Sequence, residues 1–398
     1  MLGSKSTVKW GLISFLLLSL TIPFPKAFGQ QNATDLPLGK SIPFHSIILN
    51  RDLNISLYLP GDYETGGSRY PVLYDPNDFL FKYDTGTVEL LSLMTFIPRT
   101  IVVGTPGLQN GYVPTPYEQR GAKPAAADLT LEFYRQELIP YIEKNYRTVN
   151  YRILCSHSVG GLFTMYALFT QPDLFTAYIA SSPWFQTNDQ YWLKNIDRMF
   201  LAESLQNKIL FMTVGKEESD LTRATYVELE KWMNKKDLKG LRWKSVWFEG
   251  VDHGSMVGKS LYDGLLYLFE GWKIPDSILN SGDVARIESH QKEVARKFEG
   301  LGQMTIPEAR LNALGYRFIN EKSYDKAVEI FTYNLTLYPN SPNAHDSLAE
   351  AYLSRSDKEN AIKYYKMAVE KNPGNTEYEK RILQNSRNKL KELGVDLQ

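Results

Sequence analysis

The residues best suited to chemistry lie around Ser158. RILC at 152–155 reads as a strand, Ser156-His157-Ser158-Val159-Gly160-Gly161 as a turn, and LFTMYALF as a helix. A nucleophile on a tight strand-to-helix turn needs small residues two before and two after it. Gly160 meets the second requirement, and Ser156 meets the first with serine in place of glycine. Ser158 would then stand at a helix N-terminus, where aligned N–H groups favour developing negative charge. A bare S-x-S-x-G string would be weak. The strand before it and the helix after it make an ordinary helix cap the poorer reading.

A serine hydroxyl at neutral pH needs a base. The chain has five histidines, so elimination works. His45 lies on the first expected strand, His290 and His345 lie beyond the strand-bearing region, and His157 neighbours the serine but faces away from its proton. His253 remains, in VDHGS after the expected strand WKSVWFE. The plain alternative for it, a surface histidine in a glycine-bearing loop, yields to the turn at Ser158. The acid should follow a strand between serine and histidine. ILFMTV at 209–214 leads into a loop with three carboxylates, of which Glu218 is preferred over Glu217 and Asp220. Its role would be to hold the histidine tautomer and stabilise the imidazolium. For an oxyanion, Val159 N–H follows the nucleophile directly. The second donor should come from DPND after YPVLY, where Pro76 has no N–H; Asn77 or Asp78 must supply it, with Asn77 preferred. Trp184 and Phe185, after AYIAS, would either line an acyl pocket or pack in the core.

The elements that must position these groups alternate. Strands are expected within SIILNRDLNISLYLP (two, joined by a polar turn at 50–52) and at 70–74, 99–104, 152–155, 177–181, 209–214 and 243–249. Amphipathic helices fall between, and Leu131, Tyr134, Leu138, Ile139 and Ile142 share one helical face. Such alternation predicts an α/β domain over residues 30–272, its mostly parallel sheet covered on both faces. The last hundred residues contain no strand pattern but repeat at a spacing of 34: Leu314 with Leu348, Ala327 with Ala361, Phe331 with Tyr365, Pro339 with Pro373. That period resembles the tetratricopeptide repeat. It implies a small all-α domain over 306–398, two repeats at about 306–339 and 340–373 plus a closing helix, joined by a linker with a helix at 273–305. Two repeats expose apolar edges, so this piece should dock on the catalytic domain or on a protein partner.

Residues 1–29 carry Lys5 and Lys9, an uncharged apolar run, and small Ala27 and Gly29, the pattern of a cleaved signal peptide. The run is shorter than the roughly 20 residues of a membrane span, and no later segment is long enough either. A periplasmic or secreted location follows. Lysine plus arginine (45) balances aspartate plus glutamate (45), and loss of the three leader lysines leaves a net charge of −3. A nucleic-acid partner is therefore disfavoured. One cysteine, Cys155, rules out an intramolecular disulfide and a thiolate metal cluster.

SIILNRDLNISLYLPGDY, RYPVLY, FYRQELIPYIEKNYRT, YRILCSHSVGGLF and FEGVDHGS together resemble the putative-esterase family of α/β-hydrolases. This family includes siderophore (enterochelin) esterases, S-formylglutathione hydrolases, feruloyl esterases and mycolyltransferases. The likeness covers about 41–272 and is strongest to secreted siderophore-esterase-like members with tetratricopeptide repeats. It implies the α/β-hydrolase fold, Ser158 as nucleophile, His253 as base, and the position of Glu218 for the acid, with no metal or organic cofactor. Ser156 and the altered DPND depart from the family pattern. GTPGLQNGYVPTPYEQRG also lacks the relatives' arginine-rich stretch, so their acyl preference need not transfer. The expected function is a serine esterase acting on a small-molecule ester through an acyl-enzyme. Acyl transfer, or a decayed hydrolase serving as a repeat-mediated binding protein, are the competing expectations.

Overall fold

Residues that alternate between two apolar surfaces build the centre of this molecule. In the computed structural model, which describes residues 38–64, 67–105, 113–114, 126–301 and 306–395, these described residues form one compact unit. The expected signal peptide and most of the loop at 104–121 lie outside the described residues. Eight strands form one sheet in the order β1-β2-β4-β3-β5-β6-β7-β8. They are β1 (Lys40–Ser46), β2 (Arg51–Tyr58), β3 (Tyr70–Asp75), β4 (Ile101–Gly104), β5 (Thr148–His157), β6 (Ala177–Ser181), β7 (Lys208–Gly215) and β8 (Leu241–Phe248). β1 and β2 pair antiparallel and β2 joins β4 antiparallel; every other pairing is parallel.

The pleat sends Val72 and Tyr74 to one face and Leu73 to the other. The first face is covered by α2 (Ala126–Phe133, a wide turn Tyr134–Leu138, then Ile139–Asn145), α3 (Val159–Thr170) and α4 (Asp220–Lys236). On the second lie α1 (Phe81–Leu93) and α5 (Val257–Leu268). Strands β3, β4 and β6 are buried along their whole length, which explains why they read as continuous apolar runs rather than alternations.

One element differs from expectation. The first turn comes earlier than 50–52: β1 ends at Ser46, and Asn50 closes the turn with φ 50° and its N–H on the Ile47 carbonyl. The cause is tertiary. Glu137, in the wide turn of α2, accepts the Ser46 hydroxyl at 2.5 Å and the N–H groups of Ile47 and Ile48 at 2.9 and 3.2 Å. These bonds hold an apolar segment in a turn.

The chain continues through α6 (Asp276–Ser281) and α7 (Val284–Lys297). It then runs through α8 (Glu308–Asn320), α9 (Tyr324–Leu337), α10 (Pro342–Ser354), α11 (Lys358–Glu370) and α12 (Glu377–Glu392). This all-α region shares the hydrophobic core of the second sheet face: Phe269 and Trp272 pack on Phe298 at 5.9 and 5.6 Å, and the cluster runs on to Leu311, Phe318 and Phe331. Arg310 reaches back to Thr95 Oγ1 at 2.9 Å.

Candidate active site

Ser158 sits between β5 and α3 with φ 60° and ψ −122°, a conformation disfavoured for a side-chain-bearing residue. The neighbourhood imposes it. Ser158 N–H donates to the Ser181 carbonyl, and its own carbonyl accepts from Leu162 and Trp184. A Cβ on Gly160 would collide with Ser156, and one on Gly161 would lie 2.8 Å from the Ser181 carbonyl. Glycine is therefore required on the helix side of the turn. Val159 is the first residue of α3, so its N–H has no intrahelical acceptor.

The structure brings Ser158, His253 and Glu218 into one line. His253 Nε2 lies 3.0 Å from Ser158 Oγ, and His253 Nδ1 lies 2.8 Å from Glu218 Oε2. Glu218 is buried, and its other oxygen accepts Gly215 N–H at 3.1 Å. Burial opposes ionisation of this carboxyl. The hydrogen bonds from His253, Ser182 and Gly215 outweigh it and hold the group below the usual carboxylate range. Asp220 is exposed and paired with Arg223, and Glu217 is exposed. Neither competes for the imidazole.

Two loops make this alignment. After β7, Lys216 and Glu217 donate backbone N–H bonds to the carbonyls of Phe248 and Val251, which clips the acid loop to the histidine loop. Gly215 permits that approach, since a Cβ there would collide with the Val251 carbonyl. Asp252 then folds the histidine loop, accepting from Gly254 N, Ser255 N and the Ser255 hydroxyl.

Other expectations are corrected. Asn77 N–H donates to Asp75 Oδ1 at 2.7 Å, a bond that competes with a role toward an oxyanion and favours Asp78 of the two donors considered. Phe185 is fully buried and stacks on Trp192 at 5.3 Å, which places it in the core and not in a pocket. Trp184 is half-buried and meets His253 edge-on at 5.3 Å. His157 is buried, its Nδ1 3.2 Å from Ser181 Oγ, and its ring packs 4.5 Å from that of His253. Burial, with His253 beside it, pushes its pKa down to about 4, so at neutral pH it is an uncharged backing for the imidazole.

Ser182 was not singled out from sequence. Its hydroxyl donates to Glu218 Oε2 at 2.7 Å and lies 2.9 Å from His253 Nδ1. It is fully buried, with φ 41°. The only signal was its place at the end of β6, one strand from the nucleophile.

A mostly parallel sheet whose strand ends present a strained serine, an acid and a histidine in that chain order defines an α/β-hydrolase of the serine type. The comparisons agree. Residues 46–246, just over half of the chain, match the family model described as Putative esterase. The chain belongs to that family and is a serine-type carboxylic ester hydrolase. It is 27% identical over 220 residues to the siderophore enterobactin esterase of Emericella nidulans, covering 46% of this chain and 72% of that protein. In fold it is similar to an IroE-like serine hydrolase from Shewanella oneidensis (TM-score 0.60, 22% identity, 75% of this chain and 99% of that one). An uncharacterised protein from Capnocytophaga ochracea is similar over 89% of this chain and 99% of its own (TM-score 0.58, 18% identity).

Proposed function

We propose that the chain cleaves an ester of the siderophore type through an acyl-enzyme at Ser158. The supporting observation is the hydrogen-bonded line Ser158–His253–Glu218 on a turn with φ 60°. Neutral His253 takes the proton of Ser158 Oγ as that oxygen adds to the ester carbonyl. Glu218, with Ser182 on the same oxygen, stabilises the imidazolium. Val159 N–H and Asp78 N–H receive the oxyanion. His253 returns the proton to the leaving alcohol, and water repeats the sequence to release the acid. Trp184 borders the acyl side. The substrate class follows the Emericella relative, whose name gives a siderophore ester.

The test is fluorophosphonate labelling, together with hydrolysis of p-nitrophenyl acetate. Wild-type protein labels once, at Ser158, and hydrolyses the aryl ester. Ser158→Ala abolishes both. An unlabelled wild-type protein, or a Ser158→Ala protein with full activity, rules the mechanism out.

Three wider readings belong to the same proposal. Helices α8–α9 and α10–α11 would be two tetratricopeptide repeats and α12 their closing helix. The 34-residue pairs support this: Leu314 with Leu348, Ala327 with Ala361 and Phe331 with Tyr365 are all buried. The shared core with the catalytic domain favours intramolecular docking of this region. Export to a periplasmic or extracellular location rests on residues 1–29; among the described residues no helix is long and apolar enough to cross a membrane.

A further inference from the structure

Behind the Ser158 turn lies a pair of carboxyl groups that the mechanism does not use. Asp75 ends β3 and Asp84 lies on the first turn of α1; both are almost wholly buried. One oxygen of Asp75 accepts Asn77 N–H at 2.7 Å. Its Oδ2, and Oδ2 of Asp84, are buried with no donor from any neighbour. Two adjacent buried carboxylates cannot both ionise. A proton held between them removes one charge and gives an otherwise orphaned oxygen its partner.

The pair closes a ring through the active site. From Asp75 the chain runs through Pro76, Asn77 and Asp78 into α1, and Asp84 returns to Asp75. Asn77 Nδ2 donates to Ser156 Oγ at 3.1 Å and to the His157 carbonyl at 3.2 Å, fastening the loop to the two residues before Ser158. Ser156 in turn interacts with the Asp75 carboxyl. The two departures from the family pattern, serine at 156 and DPND at 75–78, are therefore parts of one hydrogen-bonded assembly.

We propose that the Asp75–Asp84 pair, sharing one proton, is the positioning device that holds the 75–78 loop against Ser156 and sets Asp78 N–H, the proposed oxyanion donor, toward the carbonyl on Ser158. Burial first, and the neighbouring carboxyl second, raise Asp84 well above the ordinary aspartate range, so Asp84 keeps the proton. Burial also raises Asp75, to about 6, against the pull of Asp84, Asn77 and Ser156. Asp75 is then the acceptor around which the loop folds. The inference rests on Ser158 being the nucleophile, and its test is arranged to fail separately.

Asp84→Ala and Asp84→Asn are made in the full chain, and turnover is counted per fluorophosphonate-titrated site. The carboxamide of Asp84→Asn still donates to Asp75 without charge; the alanine does not. Asp84→Ala should lower kcat per site by about 100-fold, the scale of a lost oxyanion donor. KM should stay within about threefold, and Asp84→Asn should recover to within about tenfold of wild type. The infrared difference between wild type and Asp84→Asn at neutral pH should show one carboxylic-acid C=O stretch. Unchanged kcat per site in Asp84→Ala with only a lower Tm, or no acid band, overturns the proposal. If Asp84→Ala yields no titratable sites, the band and the turnover of Asp84→Asn decide; loss of either overturns it. Wild-type protein that fails to label would instead strike the reading of Ser158.

Discussion

At the residue scale, the site depends on charge placed where water is scarce. Glu218 is 5% exposed and accepts three hydrogen bonds, from His253, Ser182 and Gly215 N–H. Replacing it with glutamine keeps the shape but removes the negative partner of the imidazolium. Glu218→Gln should lower kcat by about 100-fold or more. Asp220→Asn, on an exposed carboxylate that pairs with Arg223, should change it by less than about threefold. Ser182→Ala should fall between them, at about tenfold, because one of the donors on Glu218 Oε2 is lost while the pair with His253 stays. Steady-state kinetics on the three variants checks the order. A larger loss at Asp220 than at Glu218 would reassign the acid.

At the element scale, catalytic alignment is a property of strand ends. β7 and β8 run parallel in register from Lys208 with Leu241 to Gly215 with Phe248, so their following loops emerge side by side. Gly215 lets those loops touch, and its φ is ordinary; the restriction is space against the Val251 carbonyl. Gly215→Ala must therefore push the acid loop from the histidine loop by backbone movement. The expected result is a loss of about 10- to 100-fold in kcat, since small displacements of positioned groups are costly. The Tm should fall by only a few degrees, an overpacking cost of about 1–3 kcal/mol. Equal kcat in variant and wild type would show that the loops tolerate separation.

At the scale of the whole molecule, the all-α region and the catalytic domain share one apolar core, and Phe298 stands where they meet. Phe298→Ala should cost about 3–5 kcal/mol, seen as a lower Tm, while turnover per fluorophosphonate-titrated site is kept because the residue touches none of the catalytic side chains. Turnover per site falling with stability would mean that the helices help shape the active site. Protonation also reaches across the molecule. Burial raises Asp346 on α10 to about 6, against hydrogen bonds from Ser386 and Asn385 on α12. A carboxyl raised in the folded state binds more protons there than in the unfolded chain. Its stabilising contribution is complete below the ordinary aspartate range and is lost as pH rises toward about 6. The Tm of wild type relative to Asp346→Asn should therefore decline as pH increases from about 4 to about 7. A constant difference across that range would exclude the linkage.

The strand order of types, the turn around Ser158 and the histidine at 253 were legible in the sequence, because each rests on local signals: apolar runs bounded by turns, and small residues that a strained backbone demands. The 34-residue periodicity was legible for the same reason, with one supersecondary unit written twice. What local pattern could not carry was decided by contacts between distant segments. The first turn moved because Glu137, about ninety residues away, binds its N–H groups. Which of three carboxylates meets His253 was decided by a loop clipped to the next strand's loop, and Asn77 N–H found a partner in the buried Asp75. Ser182 and Asp84 carry no motif at all. A buried polar group takes its role from the partners that folding gives it, and those partners are far away in the chain.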